Sequence, residues 1–375
     1  MVCLEEVTGQ TITGVERTDL YWPLLKGKRI GVVANHASVV NGTNTVDTLL
    51  SMGFNIERIF SPEHGFRQHV GAGELVENSM DSVTGIEVIS LYGNHKKPMP
   101  EDLDELDLVI FDLQDVGARF YTYISTLTYV MEACAEQRIP IVLFDRPNPN
   151  GFYIDGPVLE REFKSFVGMH PVPVVYGMTI GEYAKMVNGE QWMKDGVQCD
   201  LEVIPLQGWT HHTFVELAVD PSPNLPTTNS IYLYPSLCFF EGTEVSVGRG
   251  TCYPFEVFGH PVMKGFRFSF VPESIPGKSL HPPYEGELCL GLDLRDFYQT
   301  HYTMFGRINL AWLIMSYKNL GSSPDFFTSY FDILTGSSNL RKQIQSGLPE
   351  KQIRQSWQPG IEEFKKVREK YLIYD

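Results

Sequence analysis

Between residues 1 and 155 short apolar runs alternate with stretches of helical spacing, the arrangement of successive βαβ units. Arg29–Ala34, Ile56–Phe60, Ile86–Leu91, Leu108–Phe111 and Ile139–Phe144 read as strands. Helical spacing falls between them over Thr45–Met52 and Tyr123–Gln137. Ile139–Phe144 is apolar almost throughout rather than alternating, which suits a strand covered on both faces. The pattern predicts an α/β fold on a doubly wound parallel sheet. From about Gly156 the texture changes to proline-rich stretches such as His170-Pro171-Val172-Pro173 and Pro221-Ser222-Pro223-Asn224-Leu225-Pro226, which read as extended segments or loops. Further on, Arg307–Asn319 is an apolar helix stopped at Leu320-Gly321, and Ile361, Phe364, Val367 and Tyr371 mark an amphipathic C-terminal helix. The expected organisation is a doubly wound domain over 1–155 and a smaller mixed α/β domain over 156–375.

A chain of 375 residues accommodates about two such domains, each with its own core. Thirty Lys and Arg against 46 Asp and Glu give a net charge of −16, which argues against nucleic acid as a partner because that binding rests on phosphate neutralisation. No apolar run reaches the roughly 18 residues that span a bilayer. The opening Met1-Val2-Cys3-Leu4-Glu5-Glu6 carries neither a basic n-region nor an apolar h-region, so it reads as a cytosolic start or as one from which a signal peptide has been trimmed. Cys3, Cys134, Cys199, Cys238, Cys252 and Cys289 are scattered without a CxxC pair, which removes zinc-ribbon and thioredoxin-type readings and gives no support to a disulfide.

In an open α/β sheet ligands bind beyond the carboxyl ends of the strands, and here those positions are polar. Asn35-His36 follows the first strand, Pro62-Glu63-His64-Gly65-Phe66-Arg67 the second, Asp112 through Arg119 the fourth, and Asp145-Arg146-Pro147-Asn148 the fifth. The first βα turn lacks GxGxxG, so no phosphate cradle for a dinucleotide is expected, and Gly71-Ala72-Gly73-Glu74 reads as a flexible turn. Gly177-Met178-Thr179-Ile180-Gly181 has the outline of a nucleophile elbow, but Thr179-Ile180-Gly181-Glu182 is also a capping box, the stronger reading. No HExxH is present, and His211-His212 reads as surface loop, so neither metal nor cofactor is expected.

Glu63 is the richest candidate for chemistry. A carboxyl on a strand-end turn beside Phe66 has the surroundings of a general acid, while Arg67 offers an ion pair instead, and the two readings stand level. Asp112, Asp115 and Arg119 can orient sugar hydroxyls or supply a second carboxylate, or else lock the loop as a buried salt bridge, with Asp112 at the strand end expected to face the ligand rim. Tyr121 and Tyr123 offer stacking surfaces, although aromatics at such crossings more often fill the core. In Glu241-Gly242-Thr243 through Ser246-Val247-Gly248-Arg249-Gly250-Thr251, the fork of Arg249 stands between two glycines, either open to a carboxylate ligand or part of a hairpin with solvent-facing charges.

Ser61–Arg67, Phe111–Tyr123, Asp145–Pro149, Tyr176–Glu182, Ser222–Thr227 and Glu241–Thr251, running in order to Tyr371-Leu372-Ile373-Tyr374, resemble the exo-β-N-acetylmuramidases of the NamZ type, glycoside hydrolase family 171. The resemblance covers nearly the whole chain. It implies an enzyme that removes N-acetylmuramic acid from the non-reducing end of peptidoglycan fragments, a Rossmann-like domain and a smaller partner with a cleft between them, and work in the periplasm or outside the cell. It also implies catalysis by Glu63; the candidate site taken with it adds His64 and Asp112 to the catalytic group and Asn35, His36, Arg67, Gln114, Asp115, Arg119, Tyr121, Arg146, Asn148, Asn224, Glu241, Ser246 and Arg249 as substrate-binding residues. The sequence departs from the family at Gln68, where glycine is expected, and at Ala34-Asn35-His36-Ala37-Ser38, where threonine and glycine are more usual. The second catalytic group stays open between Asp112, Asp115, Glu241 and the substrate's own acetamido group. Arg249, ahead of Arg67 and Arg146, is the expected reader of the lactyl carboxylate. A non-catalytic muropeptide-binding protein is the alternative, and an esterase ranks last for want of GxSxG and metal spacing.

Overall fold

The computed structural model describes residues 11–67, 77–297 and 306–375. The opening Met1–Glu6, Gln68 and the Gly71–Glu74 turn lie outside the described residues. The large sheet consists of β1 (Arg29–Ala34), β2 (Asn55–Ser61), β3 (Ser79–Met80), β4 (Glu87–Ser90), β5 (Leu108–Asp112), β6 (Ile141–Phe144) and β7 (Leu201–Ile204). Its strand order is β3-β4-β2-β1-β5-β6-β7, parallel throughout except for the short edge strand β3. The five apolar runs therefore become strands, and β6 begins two residues late because Pro140 has no N–H for the ladder; its carbonyl still accepts from Val109. The chain reverses direction across the sheet between β1 and β5, so the loops after these strands flank the topological switch point.

Alternate side chains divide the sheet between two cores. Ile30, Val32, Ile59, Ile110 and Phe144 face one, and Val33, Phe60, Phe111 and Leu143 face the other. Against the second face lie α1's successors in the chain: α1 itself (Thr45–Ser51) joins β1 to β2, whereas α2 (Tyr123–Gln137) and α3 (Ile180–Gly189) follow β5 and β6. That second core continues without a break through α4 (Thr228–Leu237), α5 (Leu310–Asn319) and α6 (Glu350–Arg368), by way of Tyr234, Leu237, Leu313, Ile353, Ile361 and Phe364. The later half also carries a three-stranded antiparallel sheet of β8 (Val257–His260), β9 (Phe268–Phe270) and β10 (Cys289–Asp293), in the order β8-β10-β9.

The large sheet runs past the boundary expected near residue 155, since β7 is its last strand. Two braces tie the halves. Arg119, expected at the ligand, is fully buried and donates to the carbonyls of Pro157 and Val172 through Nη1 and of Leu334 and Thr335 through Nη2, at 2.7 to 3.1 Å. Four peptide dipoles stand in for a carboxylate, and the guanidinium is out of reach of any substrate. The second brace lies at the end of α6 and just beyond it. The Tyr374 hydroxyl donates to Asp145 (2.6 Å), the amides of Ile373 and Tyr374 donate to Glu182 (2.8 and 3.2 Å), and Arg368 donates to the Gly177 carbonyl. His211, expected on a surface loop, is buried there with Nε2 3.1 Å from Glu182; His212 is exposed. Thr179 caps α3, accepting from Glu182 N and donating to Asp145, so it has no nucleophile's freedom.

Burial raises the carboxyl of Asp145 to about 7 and that of Asp115 to about 6, although donors to each pull the other way. A folded-state value above the unfolded one means that the folded protein holds the proton more tightly. The contribution of both groups is then complete below about pH 4 and is lost as pH rises through 6 and 7. Asp145→Asn is expected to flatten the decline in urea-unfolding free energy over this range. A slope equal to wild type would show that Asp145 keeps its proton equilibrium on folding.

Candidate active site

Two strand-end segments of the large sheet and three segments of the later half meet in one pocket. Glu63 and His64 come from the turn after β2, Tyr121, Thr122 and Tyr123 from the approach to α2, and Ser222 and Asn224 from the proline-rich stretch. Tyr234 of α4, Arg249 and Phe255 close the remaining wall. Glu63 is half-buried, and its two oxygens accept from the Tyr92 hydroxyl (2.9 Å) and the Thr122 hydroxyl (3.4 Å). His64 Nε2 lies 3.3 Å from the Ser222 hydroxyl. The turn that presents this pair is held open by left-handed backbone at a residue other than glycine, with φ of 77° at His64, and Phe255 repeats the feature at 57°. Strain of this kind, of order 1 kcal/mol or more per residue, persists where the surrounding structure fixes it and concentrates at ligand sites.

Arg249 reaches the pocket because Gly248 and Gly250 (φ 76° and 78°) allow a double turn that side-chain-bearing residues resist. Its Nε donates to Glu241 at 2.5 Å and its guanidinium lies 5.1 Å from the Phe255 ring centre. Burial works against its charge, but Glu241 outweighs this and raises the guanidinium above its ordinary value. Neither Nη group bonds to a described residue. Asn224 donates to the Lys278 carbonyl (3.0 Å), while its buried Oδ1 meets no donor among the described residues. An unmet buried acceptor is costly and marks a place where a ligand donor fits. Burial also raises the Tyr121 and Tyr234 hydroxyls well above their usual range, which keeps both neutral. Tyr121 donates to the Pro221 carbonyl (2.7 Å), binding the proline-rich stretch to the rim.

Other expected site residues serve one layer further out or elsewhere. Asn35 is buried behind the pocket and donates to the Tyr123 hydroxyl (2.7 Å), and His36 Nε2 lies 2.9 Å from the Asp220 carbonyl. Asp112 does not face the rim. It is sealed inside with Arg146, at 2.5 and 2.9 Å, and accepts from Thr45, so it has no path to a substrate, and Arg146 is buried with Nε and Nη2 turned onto it. Asp115 is buried against Tyr176 and Gly117 N. Arg67 is spent on Asp47 and Asp81, each held by two bonds of 2.6 to 2.9 Å. Gln114 and Asn148 brace loop carbonyls, of Pro147 and Met178 respectively, and Ser246 accepts from Gly248 N. In each case a polar side chain at a strand end satisfies buried backbone or a buried opposite charge, a role the linear pattern does not separate from ligand binding. Instead of a hairpin, Glu241 stands on a single 3₁₀ turn, Cys238–Gly242, after α4.

Tyr92, Thr122, Ser222, Tyr234 and Phe255 went unanticipated. Tyr92 directly follows the Ile86–Leu91 run, so the strand-end rule that singled out Glu63 reaches it too. Tyr234 and Phe255 sit inside apolar stretches with no local signal. Among the described residues no group of three or more His, Cys, Asp or Glu side chains is placed to hold a metal ion.

A strand-end carboxylate held by two hydroxyl donors, in a pocket of neutral phenols with one arginine, defines a hydrolase-type site for a small polar ligand. The comparisons give this class its family. Residues 30–229 match the model described as exo-β-N-acetylmuramidase NamZ, N-terminal, and residues 232–374 match its C-terminal counterpart. The chain belongs to the NamZ family and is a glycoside hydrolase. It is 39% identical to the peptidoglycan β-N-acetylmuramidase NamZ of Bacillus subtilis (strain 168), over 94% of this chain and 89% of the relative. The crystal structure of a DUF1343 family protein from Bacteroides fragilis NCTC 9343 superposes with a TM-score of 0.91 at 45% identity, covering 98% of this chain and 99% of that one. A second DUF1343 family protein from the same organism gives 0.81 at 28% identity, covering 97% and 99%.

Proposed function

We infer that the enzyme releases N-acetylmuramic acid from the non-reducing end of peptidoglycan fragments, with Glu63 as general acid and Arg249 reading the lactyl carboxylate. The observation that carries this reading is that Glu63 and Arg249 line one pocket. A protein at −16 repels an anionic sugar at long range, so a local cation is needed at contact. Arg249 has both Nη groups to give as a fork, while Asn224 Oδ1 accepts from a sugar donor. Turnover of a chromogenic β-N-acetylmuraminide tests the function as a whole; saturable binding without release overturns it. For the reader, the ratio of kcat/KM for paired muraminide and glucosaminide substrates should fall about tenfold or more in Arg249→Ala, and partly in Arg249→Lys, because lysine lacks the planar fork. An equal loss on both substrates would assign Arg249 a bracing role only.

As the glycosidic bond breaks, Glu63 gives its proton to the departing oxygen. Asp112 and Asp115 are sealed in the interior and Glu241 is engaged by Arg249, which leaves the substrate's acetamido oxygen to attack the anomeric carbon. Water then opens the resulting ring and returns a proton to Glu63. A substrate bearing hydroxyl in place of acetamido should be turned over about a hundredfold more slowly. A comparable rate would return the nucleophile's role to the protein.

A further inference from the structure

A second cavity lies next along the chain from Tyr92. That residue donates to Glu63 Oε1 and is followed directly by Gly93-Asn94-His95-Lys96-Lys97, which with Tyr129 line a groove of about 650 Å³, room for more than one sugar ring. Thr122, at the head of α2, touches the other oxygen of Glu63, and Tyr129 stands about two turns, roughly 10 Å, further along the same helix. Both sides of the groove, Gly93–Lys97 and Tyr129, are thus tied by short stretches of chain to the two residues that hold Glu63. Its cations are unequal. Lys97 is paired with Glu132 and Glu136 at 3.4 and 2.7 Å, and His95 Nε2 lies 2.8 Å from Asp102. Lys96 has no carboxylate partner among the described residues. Its Nζ lies 4.7 Å from the centre of the Phe166 ring, which is itself stacked on Tyr129. That contact fixes the ammonium without neutralising it.

We propose that this groove is the subsite for the leaving saccharide, with Lys96 receiving a carboxylate carried two rings beyond the scissile bond. The inference rests on the muramidase reading. An acid at the scissile oxygen has the released sugar on one side and the departing chain on the other; Arg249 belongs to the first side and the Tyr92 groove supplies the second. In a peptidoglycan strand every second sugar bears a lactyl ether, so negative charge recurs two rings along the departing chain. The carboxylate comes either from the lactyl group or, where that is closed in an amide, from the attached peptide. Both present the same chemistry to an ammonium group. Cations that hold the departing chain act on kcat/KM for extended substrates and leave short ones without that gain.

The test compares wild type, Lys96→Gln and Lys96→Arg on three substrates: a chromogenic muraminide too short to enter the groove, a peptide-free tetrasaccharide, and the same tetrasaccharide carrying stem peptides. In Lys96→Gln the ratio of kcat/KM for tetrasaccharide over chromogenic substrate is expected to fall about fivefold to tenfold, with recovery in Lys96→Arg. A fall on the peptide-free chain identifies the lactyl carboxylate, and a fall on the peptide-bearing chain alone identifies the peptide. Either supports the subsite. Ratios held at wild-type values on both tetrasaccharides, in an enzyme that turns them over, overturn the subsite and leave the muramidase reading standing. Absence of turnover of all three substrates by wild type overturns that reading, and the subsite with it.

Discussion

Glu63→Gln is expected to fold as wild type and to turn over a chromogenic muraminide about a hundredfold more slowly or worse, the scale of a general acid's contribution. The amide keeps the shape of the carboxyl and can still meet Tyr92 and Thr122, whose hydroxyls serve as donor or acceptor. What it lacks is a transferable proton. A hundredfold loss corresponds to about 2.7 kcal/mol of barrier. A leaving group that departs readily without protonation, such as a dinitrophenolate, should recover much of the loss, which separates a missing acid from a misplaced substrate. Rates near wild type on a poor leaving group, in a folded variant, would remove Glu63 from the role.

Asp112→Ala is expected to cost about 3–5 kcal/mol of stability, read from urea unfolding, without a specific effect on the remaining folded enzyme's substrate preference. The carboxylate and the Arg146 guanidinium bury each other beside the switch point, with Thr45 donating to the carboxylate and the Val39 carbonyl accepting from Arg146. Removing one charge strands the other in the interior. Asp112→Ala with Arg146→Met should recover part of the loss, because an apolar pair leaves no buried charge unmet. Wild-type stability in the single variant would mean that the pair is solvated.

The same pair shows where the sequence misleads. β5 and β6 were legible because runs buried on both faces are apolar throughout, and Glu63 was legible because a polar turn after a parallel strand is where ligands bind. Yet that rule applies equally to Asp112 and Arg146, Arg67 and Arg119, which are consumed by one another, by Asp47 and Asp81, or by main-chain carbonyls. The partners lie tens to hundreds of residues away, and no local pattern records them. β7 escaped notice for a related reason. As a short edge strand with partly exposed positions, Leu-Glu-Val-Ile lacks the continuous apolar run of its neighbours. The Tyr234 and Phe255 walls are aromatic residues in aromatic surroundings, and only the fold turns them toward a cavity.

The brace beyond α6 bears on how the chain is made. A ribosome delivers the strands of the large sheet first, yet Asp145 and Glu182, buried at its edge, draw donors from Ile373 and Tyr374. Until those residues emerge, Asp145 and Glu182 keep only their earlier donors, such as Thr179 and Gly181, and water must serve in place of the rest. The early half is thus expected to remain loosely closed through most of synthesis and to lock only when the segment after α6 threads back across it. By the same logic, residues 30–229 expressed alone would lack this clasp, along with the later half of their core.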